Sequence, residues 1–387
     1  MLFPPSVSPP SPARLALNRK TKLLDIAQAL GVSIGTVHRA LHNHEGVSPM
    51  TKSRVQQMAK TLGYRPNLAA RYLSSKGGLR VSVNTLQGTT SFWEEVRAGI
   101  AEEARSLVME NVEIEYRTYP HLGEGEEEAF EAALKSGVDG IITFPSRPQK
   151  LRSGIRRASR SSIPVVCVAT DAPGTGRLAV VSIDTMASGS LAADLMGNFL
   201  GSQGKVAVTM SSLAITEHAE KHKAFADTLL SVHPQMQLQE IIEDHDVEAE
   251  AYAKSRELFA THPDLAGIYV TTEASIPVLN AARDAKVLDQ ITFITTDLFP
   301  ALVPEIRSQA VAATIYQRPR TQGRMAFRVL HEFLAGGECP SFQVTLAPHL
   351  VMRGNLDFFL QRQLAESAPQ RATRVQAGSS DLVEYFG

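Results

Sequence analysis

An all-α helix-turn-helix headpiece followed by an α/β body with doubly wound parallel sheets is the architecture this sequence predicts. Three observations carry that reading. Between Leu24 and Leu41, apolar residues recur at helical spacing on either side of Gly31. From Leu79 onward, short β-branched runs alternate with amphipathic helical segments. The charge divides in the same place: ten basic residues between Lys20 and Arg80 face only Asp25 and Glu45, while the 387-residue chain has a net charge of −1. A chain of this length exceeds one ordinary core, so two or three domains are expected.

Residues 1–19 are rich in proline and serine, lack the layout of a signal peptide and read as a disordered leader. The headpiece is expected over 20–66. Asp25 precedes a helix whose Ile26, Ala29 and Leu30 share a face, and Gly31 tolerates the left-handed conformation that ends it. Val32 can plug the angle between the helices and Ser33 can cap the second. That second helix turns Val37, Ala40 and Leu41 inward, leaving Ile34, Gly35, Thr36, His38 and Arg39 outward. In the third, Ser48 caps, Pro49 opens, and Val55, Met58, Ala59 and Leu62 form the packing face. A short, capped helix with a polar outer face suits the DNA major groove, and a cationic module on an anionic body is the electrostatic footprint of a DNA binder. A pair of ordinary surface helices is the plain alternative for the motif taken alone.

The body, over 79–356, contains nine strand-like runs. They are RVSVNT, VEIEYRTY, DGIITFP, IPVVCVAT, KVAVTM, LQEIIED, AGIYVT, ITFITTD and VAATIYQ, with helical segments between most of them. Such alternation implies parallel sheets covered by helices, right-handed crossovers, and ligands beyond the carboxyl ends of the strands. The number of strands suggests two sheets. Residues 357–387 read as a C-terminal tail without sustained leucine heptads.

Several chemistries are disfavoured. No run of about eighteen apolar residues exists, so no membrane span is expected. Cys167 and Cys339 read as reduced thiols in a cytoplasmic protein. His218 and His222 stand one helical turn apart, but no third ligand accompanies them, so neither a metal nor a cofactor is expected. The glycines and Lys205 of GSQGK precede a strand rather than follow one, which reads as a turn and not a phosphate loop. No nucleophile–base set or close carboxylate pair stands in a catalytic context, so an enzyme is not expected.

The segment GVSPMTKSRVQQMAKTLGYRPNLAARYLSSKG, following the two helices, resembles the DNA-binding headpiece of the lactose-repressor (LacI/GalR) family over about sixty residues. That resemblance implies that Ser33, Ile34, Thr36, His38 and Arg39 meet DNA in the major groove, Ile34 facing a thymine methyl. Most family members have serine where His38 stands. It also implies a hinge helix within 67–78, where Asn67, Ala70, Arg71 and Leu73 match the minor-groove helix and Leu73 inserts between base pairs. Packing of Leu73 on the third helix is its plain alternative. Residues 79–356 resemble the periplasmic sugar-binding proteins of the ribose-binding type, two lobes joined by three crossings. These are expected near Val181–Asp184, Thr314–Gln317 and Leu346–Val351. The resemblance implies a cleft in which Phe92 and Trp93 stack on a sugar face. Asp171, His218, Lys221, Thr272, Glu273, Asp297 and Gln317 would then supply polar contacts. Lys221 stands where that family has arginine, replacing a forked donor with a point charge. Each strand-end residue taken singly also reads as an ordinary cap.

The function this implies is a sequence-specific transcriptional regulator, expected to repress. A homodimer would bind an approximately palindromic operator, with affinity set by a small effector, a sugar or polyol, between the lobes. A solute-binding protein, or a corepressor-dependent regulator with a non-sugar ligand, is the alternative.

Overall fold

Gly31 takes φ +66° and ends α1 (Leu23–Leu30), with the Val32 N–H reaching back to the Ala27 carbonyl at 3.1 Å. The structure is a computed structural model that describes residues 23–41, 46–62, 78–87, 91–106, 112–336 and 341–367. The leader, residues 42–45, the side chain of His38, and Asn67, Ala70, Arg71 and Leu73 lie outside the described residues. The next helix, α2 (Ile34–Leu41), is capped by Ser33, whose Oγ accepts the Thr36 N–H at 3.0 Å. Ser48 caps α3 (Pro49–Thr61) in the same way, through the Thr51 N–H at 3.2 Å. Ile26, Ala27, Val37, Ala40, Val55 and Ala59 form the core of this three-helix unit. Two expectations are corrected. Ala29 is exposed and Ala27 takes its place, because Ile26, Ala27 and Leu30 are the positions that point at α2 and α3. Leu62 follows the last turn of α3 and is 37% exposed, so the packing face stops at Ala59.

The body, described by itself, holds two six-stranded sheets. Lobe 1 begins with β1 (Leu79–Leu86), α4 (Ser91–Ser106), β2 (Val112–Tyr119), α5 (Glu126–Lys135) and β3 (Gly140–Thr143). It continues with α6 (Pro148–Arg160), β4 (Val165–Val168) and β5 (Ala179–Ile183). Lobe 2 follows with α7 (Thr185–Leu200), β6 (Gln203–Met210), α8 (Thr216–Val232), β7 (Gln235–Glu243), α9 (Glu248–Thr261) and β8 (Leu265–Val270). Next come α10 (Ser275–Asp284), β9 (Thr292–Thr296), α11 (Val303–Ser308) and β10 (Ala313–Tyr316). The chain then returns through α12 (Pro319–Gly336) to β11 (Gln343–Leu346), and ends with β12 (His349–Val351) and α13 (Leu356–Ser367). The strand orders are β2-β1-β3-β4-β5-β11 and β7-β6-β8-β9-β10-β12. Every pair is parallel except β10 with β12.

The chain therefore passes between the sheets three times, after β5, after β10, and between β11 and β12. Buried positions along the central strands are near-continuous, as expected where helices cover both faces of a sheet. Two glycines set how α4 meets α12. A Cβ on Gly99 would lie 2.0 Å from the Arg320 carbonyl oxygen, and one on Gly323 2.1 Å from that of Val96. The helix that starts beside the aromatic pair is thereby locked to the helix that follows Gln317. The expected break between residues 356 and 357 is corrected as well. Leu356 is buried in the lobe 2 core and Phe359 and Leu360 pack against it, so α13 is part of that lobe.

Candidate ligand-binding crevice

Non-glycine residues stand in the left-handed backbone region just beyond three strands. They are Ala169 after β4, Asp297 after β9 and Arg318 after β10, with φ of 64°, 68° and 58°. Such conformations persist only where the surrounding structure holds them, and they gather at functional sites.

Around Asp297 the geometry is explicit. Its Oδ1 accepts the Gln317 backbone N–H at 3.0 Å and its Oδ2 accepts the Gln317 side-chain amide at 2.6 Å. The same amide's oxygen accepts from Lys221 Nζ at 2.8 Å. Lys221 is buried, and Nζ also sits 2.6 Å from the Glu217 carboxylate and 3.4 Å from the Thr271 carbonyl oxygen. An ammonium has three N–H groups, and these three partners use all of them. Lys221 thus ties α8 to the second crossing. Burial drives the Glu217 pKa up, but the Lys221 charge and the neighbouring His218 outweigh it, leaving Glu217 below its ordinary value. Burial likewise pushes Lys221 down, and Glu217 reverses it. His218 is buried one turn before His222, and burial lowers its pKa despite the Glu217 charge.

Across the crevice, Phe92 and Trp93 open α4 and are almost fully buried. Their rings meet edge to face at 4.8 Å between centroids, and Trp93 lies 4.6 Å from Phe144. Glu273, just beyond β8, reaches over from lobe 2, and its Oε1 accepts the Phe92 backbone N–H at 2.8 Å. Burial, with the nearby Asp297 charge, pushes the Glu273 pKa to about 8. Burial also raises Asp297 to about 6, against the hydrogen bonds from Gln317. Thr272 caps the following turn through the Ala274 N–H at 3.2 Å.

Phe92, Trp93, His218, Lys221, Thr272, Glu273, Asp297 and Gln317 therefore fall around one crevice, linked by contacts or by chain adjacency. Asp171 does not join this network. Arg177 grips it, Nη2 to Oδ2 at 2.7 Å and Nε to Oδ1. It lines a cavity of about 500 Å³ where the lobes meet beside α6, with Arg152 and Thr170 of lobe 1 and Thr185 and Glu220 of lobe 2. Glu217 was missed by the sequence reading. Its signal was available, since it stands four residues before Lys221 on one helical face. Among the described residues no group of three or more metal-binding side chains occurs. Ile34 is 47% exposed and Arg39 is exposed on the outer face of α2, whereas the Thr36 hydroxyl lies 2.9 Å from Ser33 Oγ.

A capped helical module ahead of a two-lobed, ligand-cradling body defines a DNA-binding regulator that responds to a small molecule. Residues 22–67 match the bacterial regulatory proteins of the lacI family and residues 81–338 match the periplasmic binding protein domain. The chain belongs to the periplasmic binding protein domain family through its body and carries a DNA-binding module of the lacI family ahead of it. It is 27% identical over 342 residues to catabolite control protein A of Staphylococcus epidermidis, covering 86% of this chain and 98% of the relative. The corresponding protein of Staphylococcus xylosus is 25% identical over 350 residues, with the same coverage. Among solved structures, a glucose-galactose binding protein from Geobacillus stearothermophilus shares the fold, with a TM-score of 0.68 at 22% identity. It covers 73% of this chain and 99% of that one. A solute-binding protein from Burkholderia graminis in complex with D-arabinose also has a TM-score of 0.68, at 21% identity over 73% of this chain and 98% of that one. No helix among the described residues is long and apolar enough to cross a membrane.

Proposed function

We propose that this regulator represses transcription as a homodimer and that a sugar or polyol held between the lobes sets its operator affinity. One observation carries the ligand reading: Glu273 bridges from lobe 2 to the start of α4 beside the only tryptophan of the chain, Trp93. Aromatic faces suit the C–H face of a sugar, and fixed carboxyl and amide groups suit its hydroxyls. The solved structures of proteins for glucose, galactose and arabinose are consistent with that class. Phe92, Trp93, Thr272, Glu273, Asp297 and Gln317 are the assigned contacts, with His218 at the α8 side. Lys221 orders Gln317 and Asp297 from behind, and Asp171 serves the flanking cavity.

On the DNA side, Ile34 and Arg39 are assigned to base edges, Ser33 and Thr36 to phosphate, and His38 to the same groove. Asn67, Ala70, Arg71 and Leu73 are assigned to the minor groove. Ligand closes the crevice, shifts lobe 1 of each protomer and changes the spacing of the paired hinges. A coupling of about 1–3 kcal/mol changes operator affinity some 5–150-fold. The test is a fluorescence-anisotropy titration against DNA from upstream of the regulator's own gene, with a panel of pentoses, hexoses and polyols. Salt-sensitive binding moved by one sugar is the expected result. Binding that no sugar moves overturns the ligand class.

A further inference from the structure

The helix α6 carries its charge on one side only. Leu151, Gly154, Ile155 and Ala158 are buried against lobe 1, while Lys150, Arg152, Arg156, Arg157 and Arg160 are exposed. No acidic residue occurs between Arg147 and Arg160. Of the six cations from Arg147 to Arg160 only Arg157 has a carboxylate partner among the described residues, namely Glu131. Lys150 and Arg156 instead donate to the carbonyl oxygens of Gly123 and Gly174, both at 3.1 Å. Arg152, Arg156 and Arg160 are spaced four residues apart, so they form one row about 12 Å long. Helix stability accounts for Arg160, which stands in the last turn, but not for the start of the row. Cations in the first turns oppose the helix dipole, and Lys150 and Arg152 stand there.

The row also runs toward one end of lobe 1. The strands there are parallel, so α4, α5 and α6 all finish at the edge where β1 begins at Leu79. Their last turns hold Arg105, Lys135, Arg157 and Arg160. The corresponding helices of lobe 2, α8, α9 and α10, hold one basic residue in their last turns, Arg283, and it pairs with Glu305. Acidic groups at the lobe 1 edge are already matched, since Glu113 and Glu115 pair with Arg80, and Asp139 accepts the Arg80 backbone N–H. This edge is where the chain enters from the DNA-binding unit. The connecting stretch from residue 62 to residue 79 can span at most about 60 Å. A phosphate contact made by a tethered surface is intramolecular and requires little intrinsic affinity.

We propose that the arginine face of α6 contacts the phosphate backbone of DNA flanking the site held by the headpiece. A row of about 12 Å reaches about two to three phosphates of one strand. Binding of the full chain to random-sequence duplexes of about 15 and 40 bp, followed by anisotropy from about 50 to 300 mM salt, tests this. Arg152→Gln/Arg156→Gln/Arg160→Gln is expected to reduce the salt slope on the longer duplex by about 2 to 3, near 0.9 per contact, and to leave the shorter one unchanged. The matching triple change to lysine should keep the wild-type slope, which separates charge from folding. An unchanged slope on the longer duplex overturns the proposal and leaves an acidic protein as the partner of this face. An equal fall on both lengths overturns it too, because the charge then acts at a distance rather than on flanking DNA.

Discussion

Glu273 of lobe 2 accepts a hydrogen bond from the backbone N–H of Phe92 in lobe 1, at 2.8 Å. The bond joins the end of β8 to the first turn of α4, where a helix has unpaired N–H groups to offer. It puts a titratable group on the line along which the lobes meet.

That placement predicts a pH dependence. The Glu273 carboxyl is held at about 8, above its ordinary 4.5, so the folded state keeps a proton that the unfolded state loses. Its contribution is complete below about pH 4.5 and is lost as pH rises through about 8. Asp297, raised from 3.8 to about 6, acts in the same direction over a lower window. Thermal unfolding between pH 5 and 9 should show stability of the body declining by roughly a few kcal/mol. Glu273→Gln should flatten the upper part of that decline. A profile that Gln does not alter would refute the assignment.

Lys221 and Glu217 form a buried pair, and removing one partner leaves a buried charge alone. Lys221→Met should destabilise the protein by about 3–5 kcal/mol in urea unfolding. Glu217→Gln combined with Lys221→Met should cost less than the sum of the single changes, because the two sites are coupled. Additive losses would mean the contact at 2.6 Å carries no energy.

Gly99 has no room for a side chain. Its added Cβ would stand 2.0 Å from a backbone oxygen, which cannot rotate away. Gly99→Ala should cost about 1–3 kcal/mol or more and pull α4 from α12. It should also weaken any ligand seated against Phe92 and Trp93. Retained melting temperature and retained tryptophan emission would show that α12 yields.

In the headpiece, Ile34 and Arg39 are solvent-facing and separable. If Arg39 reads a base, Arg39→Ala should cost about 1–3 kcal/mol at the operator and little on random DNA. An equal loss on both would assign it to phosphate, with a salt slope lower by about 1. Ser33→Ala should cost about 1 kcal/mol of headpiece stability through loss of the cap, measured by thermal unfolding.

The headpiece was legible because its signals are local: a glycine at φ +66°, hydroxyl caps at Ser33 and Ser48, and apolar residues one turn apart. The central strands were legible for the same reason. Other elements were not. α6 places four small or apolar residues among five cations, which weakens its helical stripe, and β12, at three residues, is too short to show a period. The candidate ligand residues could be named from strand ends, but not what each one touches.

By itself the sequence determined the order of helices and strands, the two-module plan and the division of charge, because periodicity, capping and composition act over a few residues. Only the tertiary structure decided that Lys221 uses its three N–H groups on Glu217, Gln317 and Thr271, and that Asp171 belongs to Arg177. Glu217 and Lys221 are neighbours on one helix, but Gln317 lies 96 residues away from Lys221 in the chain. Such a contact is set by how two sheets and three crossings bring strand ends together. In a buried site a hydrogen-bonding group must take whichever partner the fold puts within reach.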